Sequence, residues 1–179
     1  MENKVLIAEI SNTDFDPEYK MRDRDKYAIR RAARGILIND GKIALLNVTK
    51  FNYHKLPGGG VEKNETIEKA FKREVVEETG CKCEVLDQPG IVMEWRDQWS
   101  LLQISYVFLA KVVGEIGKSK FEQGEIDEGF ELGWVPFEKI DEILKNDSPT
   151  NYEGKFITIR DKGIYEFYKE KLRGNVKLA

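Results

Sequence analysis

The segment from Gly59 to Cys81 contains the residues of this chain whose types and spacing could do chemistry. It reads GGVEKNETIEKAFKREVVEETGC. Its charged positions of interest are Glu65, Arg73, Glu74, Glu77 and Glu78. Mg²⁺ and Mn²⁺ take oxygen ligands and commonly combine a few carboxylates with substrate phosphates. The spacing therefore favours a divalent-metal site built on one helix.

The helix expected to carry these acids runs from Thr66 to Thr79. Thr66 suits the N-cap, and Gly80 suits the left-handed position just after the last turn. At about 100° per residue, one stripe of this helix contains Ile67, Ala70, Phe71, Glu74, Glu77 and Glu78. An ordinary amphipathic helix stays apolar along its inward face, whereas this stripe turns acidic. A solvated acidic face is the alternative, but such a face would not continue an apolar stripe.

The segment resembles the Nudix box, G-x5-E-x7-R-E-U-x-E-E-x-G-U, in which U is an aliphatic residue. The matching positions are Gly59, Glu65, Arg73, Glu74, Val75, Glu77, Glu78 and Gly80. Cys81 departs from the pattern at the final U, which is a packing position. The preceding Leu56–Gly60 resembles the approach to this box in MutT-type members. The resemblance implies an α/β fold, the α/β/α sandwich with a mixed β-sheet.

The resemblance also implies roles for individual residues. Glu74, Glu77 and Glu78 match the family's metal ligands, and the Gly58 carbonyl is a further candidate ligand. Glu65 and Arg73 are expected to orient the acids. Mg²⁺ is the expected cofactor, with Mn²⁺ as the alternative.

The general base is expected either on the helix or in a loop that follows it. Glu77 and Glu78 are preferred on the helix. Some family members use a loop glutamate several residues before a tryptophan-bearing strand. In the loop EQGEIDEGFELGW, Glu128 fits that description best and Glu125 next. A solvated acidic loop explains the same residues equally well.

Substrate contacts are expected outside the box. The aromatic residues Phe51, Tyr53 and Trp95 are candidates for stacking a nucleobase, since every base has a π-face. Arg34 and Arg96 are candidates for meeting phosphate. A core position for each aromatic residue and a surface position for each arginine are the competing interpretations.

Composition narrows the class of protein. The chain has 179 residues and a net charge of −3, which argues for one domain over 1–179 and against a general binder of nucleic-acid duplexes. It lacks an apolar run long enough to span a membrane, and its first residues carry too short an apolar run for a signal peptide, so a cytoplasmic location is expected. With Cys81, Cys83 and His54 as the only residues of their types, a zinc site or a histidine triad is disfavoured.

The remaining chain predicts strands around the box helix. Segment 1–26 is charged, with a short strand at Lys4–Ile10. Asn39–Lys42 predicts a hairpin turn, and Asp87–Gly90 predicts a turn between two strands. Helices are expected at Phe137–Lys145 and at about 155–172.

The expected activity is hydrolysis of a pyrophosphate bond in a nucleoside diphosphate linked to another group. Where the ADP-ribose subgroup tends to carry a proline, this chain has Arg96, so a MutT-like nucleoside triphosphate pyrophosphohydrolase leads by elimination. An ADP-ribose or nucleotide-sugar pyrophosphatase is the alternative, and a non-catalytic nucleotide sensor is the alternative of another class. The expected partner is a small-molecule nucleotide, with a homodimer left open.

Overall fold

A computed structural model describes residues 5–174 of the chain, except the side chains at 171, 173 and 174. In this range one mixed sheet of eight strands has the order β1-β6-β7-β2-β3-β4, with β5 paired to β2 and β8 paired to β3. The strands are β1 (Val5–Ser11), β2 (Ala28–Asn39), β3 (Lys42–Val48), β4 (Tyr53–Lys55), β5 (Gly58–Gly60), β6 (Lys82–Arg96), β7 (Leu101–Val113) and β8 (Phe130–Pro136). The pairs β1–β6 and β2–β7 are parallel and the others antiparallel.

Helices lie on both faces of this sheet. They are α1 (Ile67–Thr79), α2 (Gln123–Asp127), α3 (Phe137–Asn146) and α4 (Tyr152–Gly174). Helix α1 packs on one face, and α3 and α4 pack on the other. The expected α/β fold, with a mixed sheet between helical layers, is confirmed.

The alternation of side chains along β2 explains the two layers. Successive residues of a strand point to opposite faces of the sheet. Ala33 and Leu37 accordingly pack with Phe71 of α1. Ile36 and Ile38 belong to the core that also contains Phe156 of α4. Because both faces of the central strands are buried, these strands are apolar on both sides.

The first predicted turn is present and the second is not. Asp40 and Gly41 both have positive φ, 46° and 71°, as a type I′ hairpin turn requires. The segment from Asp87 to Gly90 stays within one strand, and its pairing with β7 shifts register there. A bulge tolerates Pro89, which has no N–H to donate to a ladder, so proline and glycine mark an irregularity here rather than a reversal.

The described residues stop short of both ends of the chain. Residues 1–4 and 175–179 of the predicted single domain lie outside the described residues. The C-terminal helix begins at Tyr152, earlier than the expected start near 155. Within 5–174, no helix has both the length and the apolar character needed to cross a membrane.

Candidate active site

Helix α1 presents a stripe that changes from apolar to acidic. The Thr66 side chain accepts a hydrogen bond from the backbone N–H of Lys69 at 3.2 Å and so caps the first turn. Gly80 ends the helix in the left-handed conformation with φ of 70°. Phe71 is fully buried, and Glu78, two turns later on the same side, is only 1% exposed. The helix thus carries a carboxylate into the protein interior.

Glu78 is held by two donors. The backbone N–H of Gly58 donates to its Oε2 at 2.6 Å, and the Lys55 Nζ donates to its Oε1 at 2.7 Å. Burial raises the pKa of Glu78 to about 7, although Lys55 and the Gly58 amide oppose that rise. A buried carboxyl that accepts these bonds is well placed to meet a further cation.

Arg73 ties the other acids of the box together. Its Nε donates to Glu65 at 3.1 Å, and its NH1 donates to Glu74 at 2.8 Å and to Glu77 at 2.9 Å. Its NH2 donates to the carbonyl of Gly60 at 2.9 Å. The hydrogen bond from Arg73 lowers the pKa of Glu65, whereas burial raises the pKa of Glu74 against the effect of Arg73. One guanidinium therefore fixes the relative positions of three carboxylates and a backbone carbonyl.

The glycines of β5 let two side chains approach the backbone closely. A Cβ on Gly59 would lie 2.4 Å from Oε1 of Glu74, which is far inside van der Waals contact. Gly58 has φ of +140°, and a Cβ there would lie 2.4 Å from the Cβ of Arg34. A larger residue at either position would displace Glu74 or Arg34.

A cavity of about 200 Å³ opens above these residues. The lining acids of α1 and of the segment around α2, here called the acidic wall, are Glu74, Glu77, Glu78, Glu122 and Glu125. The lining arginines, here called the basic wall, are Arg30, Arg34 and Arg160. Lys55, Gly58, Gly59, Gly60, Gln103, Glu153 and Ile157 complete the lining. Almost all lining side chains are polar or charged, so the cavity suits a highly polar, charged group.

The structure brings several predicted site residues to this cavity. The predicted residues that line it are Gly58, Glu74, Glu77, Glu78 and Arg34. Glu65 and Arg73 contact the acidic wall from the side. In the acidic loop, Glu125 lines the cavity and Glu128 does not. Glu128 is the residue that ends α2, and its carbonyl accepts the N–H of Lys50.

The other predicted substrate contacts lie elsewhere. Tyr53 is 2% exposed in a small core with Val48 and Ile157, and Phe51 packs against the same core. These rings have packing partners instead of an open face toward the cavity.

Trp95 and Arg96 have protein partners as well. The indole N–H of Trp95 donates to Glu9 at 2.6 Å, on the side of β6 that borders β1. Arg96 is fully buried and forms ion pairs with Glu94 and Glu153. The placement of Tyr53, Phe51, Trp95 and Arg96 thus differs from the expected contact with substrate.

The sequence named Arg34 and Glu125 as candidates but missed other lining residues. Arg30 lies four positions before Arg34 on the same strand, so the period of two puts both on one face and could have indicated Arg30 as well. Lys55 and Arg160 gave no such signal, because only the pairing of β4 with β3 and the packing of α4 on the sheet bring them to the cavity. Glu122 caps a short helix in a loop predicted without one.

A buried polar network supports the basic wall from below. Glu94 accepts hydrogen bonds from Arg96 at 2.9 Å, from Gln103 at 2.7 Å and from Arg160 at 3.4 Å. Burial alone would raise the pKa of Glu94, but Arg160, Arg96 and Arg34 outweigh it and bring the pKa to about 2. Glu94 is therefore a permanent anion among arginines.

Comparison with known proteins decides the family. The family model described as NUDIX domain matches residues 29–154. The chain belongs to the Nudix family. The matched range contains the whole acidic wall and, of the basic wall, Arg30 and Arg34, while Arg160 lies beyond it.

Two curated Nudix relatives extend the comparison. An ADP-ribose pyrophosphatase of Methanocaldococcus jannaschii is 36% identical over 125 residues, which are 65% of this chain and 73% of that protein. The 8-oxo-dGDP phosphatase NUDT18 of Mus musculus is 38% identical over 81 residues, which are 45% of this chain but only 23% of that protein.

Solved structures share the Nudix fold. A NUDIX hydrolase from Nitrosomonas europaea has a TM-score of 0.56 at 17% identity, covering 82% of this chain and 73% of that one. A NUDIX family hydrolase from Clostridium perfringens has a TM-score of 0.52 at 17% identity, covering 76% of this chain and 96% of that one. Together with the family match, the chain is a Nudix hydrolase, an enzyme acting on nucleotide-like substrates.

Nudix hydrolases generally use a divalent metal, and the donor set here suits one. Glu74 and Glu78 are carboxylates whose pKa is raised, first of all by burial, and a bound cation would favour their ionised form. Among residues 5–174, no three acidic, histidine or cysteine side chains already converge as a cation site. Instead, Glu78 accepts a hydrogen bond from Lys55 and Glu74 accepts one from Arg73, so a divalent cation would compete with Lys55 and Arg73 for these carboxylates.

Proposed function

We propose that this Nudix hydrolase cleaves nucleoside triphosphates to nucleoside monophosphates and pyrophosphate, with Mg²⁺ held by Glu74, Glu77, Glu78 and the Gly58 carbonyl. The observation that carries the proposal is the cavity itself, which is lined both by acids of α1, of which Glu78 is buried, and by arginines. Acids that hold a cation and arginines that pair with phosphate are the groups that phosphoryl chemistry needs. An oxygen-only donor set favours Mg²⁺, with Mn²⁺ as the alternative.

The proposed mechanism divides the work between the walls. A divalent cation on the acidic wall would offset phosphate charge and lower the pKa of a bound water. Arg73 keeps Glu74 and Glu77 in place, and Lys55 with the Gly58 amide keeps Glu78 in place.

A carboxylate of the acidic wall takes the proton of the attacking water. Glu77 and Glu78 on α1 are the first candidates for this role. Glu125 replaces Glu128 as the loop alternative, because Glu125 lines the cavity. The arginines of the basic wall hold the phosphate chain.

A second candidate function is hydrolysis of ADP-ribose. It is favoured by the relative from M. jannaschii, whose name states that activity and which shares 36% identity over 125 residues. Both candidates use the same acidic wall and differ in what lies beyond the two phosphates of the cleaved bond.

A substrate screen tests the proposal. The purified chain is incubated with Mg²⁺ and with nucleoside triphosphates, oxidised deoxynucleoside triphosphates, ADP-ribose and nucleotide sugars, and products are separated by chromatography. We expect the triphosphates to give the highest kcat/KM. A higher value for ADP-ribose would support the second candidate, and nucleotide binding without any hydrolysis would point to a sensor.

A further inference from the structure

Arg34 is a buried arginine whose guanidinium is only partly used by the protein. It is 4% exposed and lines the cavity. Its Nε donates to the hydroxyl of Ser105 at 3.1 Å. Among the described residues, its guanidinium makes no other hydrogen bond and no ion pair of its own. Its terminal nitrogens have no hydrogen-bond partner among the described residues, and because Arg34 lines the cavity they are suited to a ligand there.

Other charged groups surround Arg34 beneath the cavity. The arginines are Arg30, Arg96 and Arg160, and the acids are Glu94, Glu153 and Asp161.

The direct ion pairs in this network belong to other arginines. Arg160 is held by Asp161 and Glu94, and Arg96 is held by Glu94 and Glu153. Burial, together with the charge of Arg160, lowers the pKa of Arg34 to about 10. Among the described residues, Arg34 is therefore a buried arginine at the cavity without a direct ion pair of its own.

Arg30 adds a second donor at the rim. It lies on the same face of β2 as Arg34, and its NH1 donates to Gln103 Oε1 at 3.2 Å. A Cβ on Gly60 would lie 3.3 Å from its NH2, so the guanidinium rests against the glycine strand. Arg30 is exposed, in contrast to Arg34. The two arginines form a path from solvent to the cavity floor.

We propose that Arg34 and Arg30 form a subsite for a phosphate that is not part of the cleaved anhydride bond. The inference rests on the proposed function, in which the acidic wall holds the bond under attack. Gly58 and Gly59 separate the two groups, since Gly58 abuts Arg34 and Gly59 abuts Glu74. The planar guanidinium matches phosphate oxygens in a two-point geometry. The substrate class is therefore a chain of three or more phosphates, in preference to a diphosphate that links two neutral sugars.

Kinetics on matched substrates test the subsite. Unaltered chain, Arg34→Gln and Arg31→Gln are compared on ATP, ADP and ADP-ribose. Arg31 is the matched control, because it lies on the same strand with its side chain on the opposite face and does not line the cavity. We expect the unaltered chain to have a KM for ATP about tenfold below that for ADP or ADP-ribose, which is the effect of one interaction of about 1.4 kcal/mol.

The variants separate a binding role from a structural one. Arg34→Gln is expected to raise the KM for ATP by roughly tenfold, and to change kcat and the KM for ADP-ribose by less than about threefold. Arg31→Gln should change none of these values. An equal loss on all substrates from Arg34→Gln would overturn the subsite and make Arg34 a structural residue. If Arg34→Gln does not fold, Arg30→Gln at the exposed rim takes its place with the same expected pattern.

A binding measurement separates failure of the subsite from failure of the proposed function. Calorimetry at saturating Mg²⁺ compares tripolyphosphate with pyrophosphate on the unaltered chain and on Arg34→Gln. Tighter binding of tripolyphosphate, lost in Arg34→Gln, supports the subsite even if no substrate is hydrolysed. Equal affinity for the two anions overturns the subsite even if the enzyme hydrolyses ATP.

Discussion

The ammonium group of Lys55 lies 2.7 Å from Oε1 of Glu78, and both side chains are almost completely buried. The contact joins β4 to α1, and its two residues are 23 positions apart in the chain. The second oxygen of Glu78 accepts the Gly58 amide at 2.6 Å. The protein thus places a carboxylate in its interior, where burial raises its pKa, and supplies the charge and donor that keep it in position.

Replacing Glu78 tests the acidic wall. Glu78→Gln keeps the shape of the side chain and removes its charge. We expect kcat to fall by at least about 100-fold, since even residues that only orient metal ligands cost roughly 10- to 100-fold. Initial rates of product release at saturating Mg²⁺ check this. Glu68→Gln, an exposed position on the same helix, is the matched control and should leave kcat unchanged. A Glu78→Gln enzyme with near-normal kcat would remove Glu78 from the proposed metal ligands.

Adding one methyl group at Gly59 tests the close approach of Glu74. In Gly59→Ala the new Cβ would lie 2.4 Å from Glu74 Oε1, so the carboxylate must move. We expect kcat/KM to fall by about 10- to 100-fold, as small misplacements of catalytic groups do. Thermal unfolding should shift by less than about 3 °C, because a carboxylate end can move at a cost of roughly 1 kcal/mol. Gly124→Ala, whose Cβ meets nothing within 4 Å, is the control. Equal activity of both variants would show that the position of Glu74 is not critical.

The two loop candidates for the general base, Glu125 and Glu128, differ in their position relative to the cavity. Glu125 lines the cavity and Glu128 does not. Glu125→Gln should lower kcat by roughly 10- to 100-fold, whereas Glu128→Gln should change it by less than about threefold. Glutamine retains the capping contact that Glu125 makes with the N–H of Glu122, so α2 is kept. A larger loss from Glu128→Gln would restore Glu128 as the loop candidate.

The lowered pKa of Glu94 implies that the free energy of unfolding depends on pH. Its pKa is lowered from 4.5 to about 2, because Arg160, Arg96 and Arg34 outweigh the effect of burial. A lowered pKa adds stability above pH 4.5, and this contribution is lost as the pH falls toward 2. The contribution is on the order of 3 kcal/mol, at 1.36 kcal/mol per pKa unit.

Urea unfolding between pH 7 and pH 2.5 measures this contribution. Glu94→Gln leaves buried arginines without their anion, so we expect it to destabilise the chain by roughly 3–5 kcal/mol at pH 7. Its stability should also fall less steeply with acid than that of the unaltered chain. Glu84→Gln, an exposed position on the same strand, is the control. If the free energy of unfolding changed with pH in the same way for Glu94→Gln and the unaltered chain, the proposed contribution of Glu94 to stability would be contradicted.

The sequence could predict features that depend on residues close together in the chain. The cap at Thr66, the end at Gly80 and the mixed stripe of α1 are all encoded within one segment, and the structure contains each of them. The hairpin at Asp40–Gly41 is likewise local. Arg34 was a candidate for meeting phosphate, and it lines the cavity.

What the sequence could not predict depends on contacts between distant segments. Lys55 meets Glu78 only because β4 pairs with β3 in the sheet, and Arg160 meets Glu94 only because α4 packs on the sheet. Arg96 seemed free to meet phosphate, but Glu153, distant in the chain, pairs with it. Pro89 gave a turn signal that a bulge in a paired strand also satisfies. A charge visible in a sequence does not indicate whether the fold supplies its partner.

The products formed from a nucleoside triphosphate show whether the enzyme cleaves the proposed bond with the help of a divalent metal. The unaltered chain is incubated with dGTP or ATP, with Mg²⁺ or with EDTA, and the products are resolved by ion-exchange chromatography. We expect nucleoside monophosphate and pyrophosphate in equal amounts with Mg²⁺, and no product with EDTA. Formation of nucleoside diphosphate and phosphate, or hydrolysis that is unchanged by EDTA, would contradict it.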